Sequence, residues 1–287
     1  MAVLDPRAGL VEELESDPSL LQPDRLRARL DALDRLDACF PDGLQSGSAN
    51  ALDRRARALS ARLDAANREL YEAIRLQIRS GDSPEALRRL LDSTDEGVEV
   101  VRGSSYDHLD ELIGGVLQLE EPEDGQIERR PEMVFYQPTP ARLIFSLIGQ
   151  TALTASDVLV DLGSGLGHVP LLASICAPAR CIGIELETSY VERARECARR
   201  LNLNRTTFLA QDARAGDLSS GTVFYLYTPF AGSILRHVLD RLRSEAAARP
   251  IRVCTYGPCT SVVAEEPWLE TSDESATDRI VVFHSRG

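Results

Sequence analysis

The run Val158-Leu159-Val160-Asp161-Leu162-Gly163-Ser164-Gly165-Leu166-Gly167 constrains this chain more than any other stretch. It reads as a short apolar strand that ends in an acid and enters a turn with glycine at every second position. A helix is predicted to open at about His168. Glycines there let backbone N–H groups approach a ligand without Cβ interference, and the helix N-terminus adds a positive dipole end. About twenty residues on, a second apolar strand, Cys181-Ile182-Gly183-Ile184, ends in Glu185, placed to hydrogen-bond a ribose diol. The unit is a nucleoside-binding βαβ.

The glycine spacing selects the nucleoside. Dinucleotide folds carry G-x-G-x-x-G with a pyrophosphate on the helix dipole, whereas here Asp161 precedes three alternating glycines, Gly163, Gly165 and Gly167. A carboxylate beside the loop repels a pyrophosphate but suits a ligand bearing an ammonium and a sulfonium. The pattern resembles motif I of the class I S-adenosylmethionine (SAM) methyltransferases. A third acid, Asp212, also falls where a strand ends, which a generic Gly-rich turn does not explain.

Length permits one full α/β domain and a smaller companion in 287 residues. No apolar run reaches the ~18 residues of a membrane span, and the N-terminus lacks the basic and apolar regions of a secretory signal, so a cytoplasmic location is expected. All 32 basic residues are arginine, which removes lysine Schiff-base and P-loop chemistry. The net charge of −13 argues against a broad nucleic-acid surface and leaves open a small molecule or a basic protein as substrate. The six cysteines form no C-x-x-C pair, and the histidines at 108, 168, 237 and 284 form no ligand cluster, so no metal is expected. Cys259 is the one thiol placed in a loop, where it is either reactive or without a role.

Residues 1–120 are predicted to be an all-α domain. A helix after Pro23 carries Leu26, Leu30, Leu33 and Leu36 at three-to-four spacing. A longer one carries a near-heptad stripe of Leu52, Ala56, Leu59, Leu63, Ala66, Leu70, Ile74 and either Leu76 or Ile78, stopped by Gly81. These helices pack within the chain as a monomer or, alternatively, form a homodimer seam. Ser83-Pro84 is predicted to start another helix. A further one spans about 105–119, with Tyr106, Leu109, Leu112, Ile113 and Val116 inward. Breaker-rich residues 121–139 are the linker and lid loop, and 140–287 alternate strand and helix. Thr139-Pro140 is expected to cap the first core helix. The order of five parallel strands and a closing hairpin resembles the Rossmann-like class I methyltransferase core, an α/β fold with a mostly parallel seven-stranded sheet.

In that resemblance Gly163, Ser164, Gly165 and Gly167 pack against the methionine part of SAM, Asp161 lies near its amino group, Glu185 takes the ribose hydroxyls and Asp212 the adenine amino group. The sequence Tyr136-x-x-Thr139, then motif I, then Gly183-Ile184-Glu185, then Tyr227-Thr228-Pro229-Phe230 is more specific. It resembles the non-SET histone lysine methyltransferases, the disruptor-of-telomeric-silencing class, and their bacterial relatives, over about residues 133–257. The resemblance implies that Tyr136 and Thr139 belong to a loop closing over SAM, and that Tyr227, Thr228, Pro229 and Phe230 border cofactor and acceptor. His168 stands where that family has Gln, and no basic DNA-gripping segment is present, so a nucleosome is not the expected acceptor.

Methyl transfer is an in-line displacement from an activated sulfonium, and the protein's task is alignment in a dry site. A base is needed only if the acceptor arrives protonated; His168, Tyr136, Tyr227 and Tyr256 are the candidates. The sequence is therefore read as a SAM-dependent methyltransferase, releasing S-adenosylhomocysteine and acting on a small molecule or protein side chain. A SAM-binding interaction module without turnover is the alternative, and an NAD oxidoreductase the third reading.

Overall fold

The computed structural model describes residues 5–41, 50–82, 87, 106–122, 136–228, 230–272 and 276–286. The chain divides into two compact units, Met1–Val98 and Glu99–Gly287.

In the first unit, helices α1 (Pro6–Glu15), α2 (Leu26–Cys39) and α3 (Ala51–Ser80) pack an aliphatic core of Val11, Leu14, Leu36, Ala56, Leu59 and Leu63. Asn50 and Asp53 form a capping box at the start of α3, and Gly81, in the left-handed conformation at φ 78°, ends it. Ile78 completes the α3 stripe, while Leu76 is 56% exposed. Leu30 and Leu33 of α2 are only partly buried; Arg29 is fully enclosed instead. Its guanidinium donates to Asn67 Oδ1 at 2.5 Å and to the carbonyls of Leu20 and Gln22 at 2.8 Å. These acceptors offset the cost of removing its charge from water. The expected helix start at Ser83-Pro84 lies outside the described residues.

The second unit is the expected α/β fold. Strands β1 (Val158–Leu162), β2 (Arg180–Glu185), β3 (Thr206–Ala210), β4 (Val223–Tyr227), β5 (Arg252–Tyr256), β6 (Leu269–Glu270) and β7 (Val281–Ser285) form one sheet in the order β3-β2-β1-β4-β5-β7-β6. The first five in that order run parallel, and β7 inserts antiparallel between β5 and β6. β1 is buried along its whole length, which accounts for its unbroken apolar character. The strand order reverses between β1 and β4, where open α/β sheets hold their ligands.

Helix α4 (His108–Leu117) makes its contacts with this unit. The Leu117 carbonyl accepts hydrogen bonds from Cys197 Sγ and Arg200 Nη2. Two details differ from expectation. Tyr106 precedes the helix and is 47% exposed, because Asp107 caps α4 and turns the chain outward. Thr139 does not cap α5 (Ala141–Thr151); the first N–H of that helix donates to Asp110 Oδ1 at 2.8 Å, and Asp110 Oδ2 accepts from the Asp107 N–H. One half-buried carboxyl thereby caps two helices, and Thr139 makes another bond instead. Among the described residues no helix is long and apolar enough to cross a membrane.

Candidate active site

At the carboxyl ends of the parallel strands lies a cavity of about 400 Å³, lined among the described residues by side chains between Tyr136 and Pro258. This is within the ~300–1,000 Å³ typical of small-molecule sites. It opens above the turn between β1 and helix α6 (His168–Cys176). Gly163, Gly165 and Gly167 there take φ of 89°, 52° and 86°, the left-handed region that glycine enters without Cβ cost. A Cβ at Gly165 would stand 2.1 Å from the Tyr136 ring, so that ring packs directly on the turn.

Asp161, near the end of β1, is 4% exposed and borders the cavity. Among the described residues its carboxyl has no hydrogen-bond partner or cation. Burial, and then the neighbouring Glu185, push its pKa well above the usual carboxylate range. Ser164 Oγ beside it is also buried without a partner. Two adjacent buried acceptors left unsatisfied call for a donor-rich, cationic ligand group, since an orphaned buried polar atom is otherwise costly.

Glu185, at the end of β2, accepts from the Gly165 N–H through Oε2 and from the Glu187 N–H through Oε1, both at 2.8 Å. These bonds tie the strand end to the glycine turn and fix the carboxylate at the cavity wall. Asp212, after β3, also lines the cavity and is gripped by the Arg214 guanidinium.

The segment 136–139 is fastened by two side-chain bonds. Tyr136 Oη lies 3.2 Å from His168 Nδ1, and Thr139 Oγ1 lies 3.0 Å from Tyr225 Oη. Burial pushes His168 down to about 4, so its imidazole is uncharged at neutral pH. Desolvation raises the Tyr136 phenol, and the Leu166 N–H opposes that rise. Tyr227 lines the cavity with its phenol pushed up to about 12 by burial. Tyr256 is packed beneath it, ring centroids 4.6 Å apart, and is not part of the cavity wall. Thr228 takes φ 37°, a strained value for a β-branched residue. Its Oγ1 donates to the Tyr256 carbonyl and accepts from the Cys259 N–H, clamping the β4 and β5 loops together. Pro229 lies outside the described residues. Cys259 starts the short helix α9 (Cys259–Ala264); it is buried and its thiol pKa is raised by burial, so it lacks the character of a reactive thiol.

The expected residues Tyr136, Thr139, Asp161, Gly163, Ser164, His168, Glu185, Asp212, Tyr227 and Thr228 thus converge on one cavity. Sequence reasoning missed Tyr225, Tyr190 and Arg214, which share its wall.

Sheet order, glycine turn, unpartnered Asp161 and acids at successive strand ends form a nucleoside site of the kind that class I SAM-dependent methyltransferases carry. Residues 133–220 match the family model described as histone methylation protein DOT1, a stretch that takes in β1, β2 and β3 and ends just before β4. No curated protein matches the chain. Among solved structures, an RNA methyltransferase from Salinibacter ruber in complex with S-adenosyl-L-homocysteine is 24% identical, covers 52% of this chain and 92% of its own, and has a TM-score of 0.39. TrmN from Thermus thermophilus is 20% identical over 50% of this chain and 48% of its own, with a TM-score of 0.40. A methyltransferase from Geobacter sulfurreducens is 14% identical over 70% and 96%, with a TM-score of 0.43.

Proposed function

We propose that the chain transfers a methyl group from SAM to a small-molecule or protein side-chain acceptor by in-line displacement. The carrying observation is the buried Asp161 carboxyl, partnerless beside the unpartnered Ser164 hydroxyl at the cavity wall. Those two groups hold the ammonium of the methionine part, Glu185 the ribose diol and Asp212 the adenine edge. Bound there, SAM supplies an already activated methyl sulfonium. Residues 136–139 serve as the lid, and their bonds to His168 and Tyr225 exclude water from the reacting atoms.

Among the described residues, none of the four candidate bases is suited to removing a proton at neutral pH. His168 is pushed down to about 4, and the Tyr136, Tyr227 and Tyr256 phenols are all raised. The acceptor therefore enters with its lone pair free, and Tyr227 and Thr228 position it rather than deprotonate it.

Incubating the protein with methyl-labelled SAM and an extract of the source cells tests this reading. Label that protease removes from the macromolecular fraction marks a protein acceptor; label among small molecules, absent with Asp161→Ala, marks a metabolite. Protein-dependent label that only nuclease removes, or none at all, contradicts the proposal.

A further inference from the structure

Asp212 and Arg214 form a fork two residues apart on the cavity wall. The Arg214 backbone N–H donates to Asp212 Oδ1 at 2.9 Å, Nε reaches Oδ1 at 3.0 Å and Oδ2 at 3.2 Å, and Nη2 donates to Oδ2 at 2.6 Å. A planar guanidinium on a planar carboxylate fixes orientation as well as charge, which a lysine ammonium does not do. The turn itself is held from behind. Ala215 N–H donates to the Asp212 carbonyl at 2.9 Å. From helix α8 (Gly232–Ala246), Arg241 Nη1 donates to the Arg214 carbonyl at 3.0 Å. Both residues of the fork are about two-thirds buried, so it is neither a solvated surface pair nor an enclosed core bridge.

We infer that Arg214 is a positioning residue that sets the enzyme's selectivity for a 6-amino purine in the cofactor, by holding the Asp212 carboxylate in the plane that accepts an exocyclic amino group. The inference rests on the assignment of Asp212 to the adenine edge. Asp212 borders the cavity while it is held by the fork, so a ligand amino group placed there meets a carboxylate of fixed orientation. A 6-oxo purine presents a carbonyl oxygen to the same carboxylate and is repelled. Discrimination of this kind depends on a polar group being correctly placed and not on cavity size. Without the fork, the carboxylate turns toward water and reads either base.

The test is calorimetric titration of the full chain with S-adenosylhomocysteine and with its 6-oxo counterpart, S-inosylhomocysteine. The wild-type protein should favour the 6-amino ligand by about tenfold or more, the scale of a charge-assisted hydrogen bond. Arg214→Ala should bring that ratio to within about twofold by weakening the 6-amino ligand alone, and Arg214→Lys should restore part of it. A folding defect would weaken both ligands equally and leave the ratio intact. A full preference retained in Arg214→Ala overturns the inference. No preference in the wild-type protein, or a preference that survives Asp212→Ala, overturns instead the adenine assignment on which it rests, even while S-adenosylhomocysteine still binds.

Discussion

Asp161 of β1 and Tyr225 of β4 are register partners on adjacent parallel strands, at the point where the strand order reverses. Side chains at such positions share a face of the sheet. Gly183 of β2 lies in the same row on the other side of Asp161, and Phe208 of β3 beyond it. The carboxyl thus sits between a position with no side chain and a phenol whose hydroxyl reaches Thr139. Asp161 and the segment 136–139 are joined through one residue of one strand.

The pH dependence of stability follows from Asp161. Its folded pKa is raised, by burial first and Glu185 second, above the ~3.9 of an unfolded chain. Between those two values the native protein holds a proton that the unfolded chain has released. Stability therefore falls as pH rises through that window, is undiminished below it and levels off above the folded pKa. Asp161→Asn removes the ionisation, so its advantage in melting temperature over the ligand-free wild-type protein should grow from pH 4 upward. Scanning calorimetry between pH 4 and 8 checks this; parallel curves for the two proteins would count against it.

His168 should titrate near 4 in the ligand-free protein, because burial disfavours its charged form. The folded pKa lies below the unfolded value of ~6.5, so stability is lost as pH falls between the two. Long-range nitrogen-detected NMR of the four imidazoles follows the titration directly, with His168→Gln supplying the assignment. A midpoint above 6 would restore the ring as a proton acceptor at neutral pH.

Gly183→Ala is expected to destabilise the fold by about 1–3 kcal/mol, the cost of overpacking a close-packed interior. Its Cβ would lie 2.5 Å from Phe208 Cδ1 and 2.6 Å from Ser164 Oγ. The Phe208 ring cannot withdraw, since it is buried and also packs on Gly167. Displacement of Ser164 should weaken S-adenosylhomocysteine as well. Urea unfolding with an unchanged midpoint would show that the row across the sheet has room to spare.

Thr228→Val should disorder the junction of the β4 and β5 loops by removing both bonds to its hydroxyl. Each is worth about 0.5–1.5 kcal/mol net, and the strained φ of 37° adds to the tendency to relax. Faster amide exchange at Cys259, with exchange in β1 unaltered, is the expected signature. Exchange at Cys259 as slow as in the wild-type protein would mean that the clamp is not what holds the loops.

The βαβ unit and its acids were legible because both depend on local pattern: an apolar run, a stop, and glycine where backbone needs φ above zero. Residues that depend on register were not. Tyr225 reads as one more apolar member of Val223–Tyr227 until β4 is placed beside Asp161. Tyr256 sits at a strand end like its neighbour Tyr227, yet ring packing puts one beneath the other. The burial of Arg29 depends on acceptors that only the fold assembles, the Leu20 and Gln22 carbonyls and the Asn67 side chain of α3. Tyr106 fits a helical stripe only if the helix begins before it, and the cap at Asp107 decides otherwise. Arg214 had a readable signal that went unused, an acid followed two residues later by a base, which favours a local turn.

Asp161 and Glu185 are the proposed binding wall for a cationic nucleoside. Isothermal titration of SAM into the wild-type, Asp161→Ala and Glu185→Ala proteins, with NADH as the comparison ligand, tests it most directly. Saturable binding of SAM, weakened by about 1–3 kcal/mol in each variant as for a lost charge-assisted hydrogen bond, with no NADH binding, is the predicted result. Unchanged affinity in both variants, or binding of NADH in place of SAM, would contradict the account.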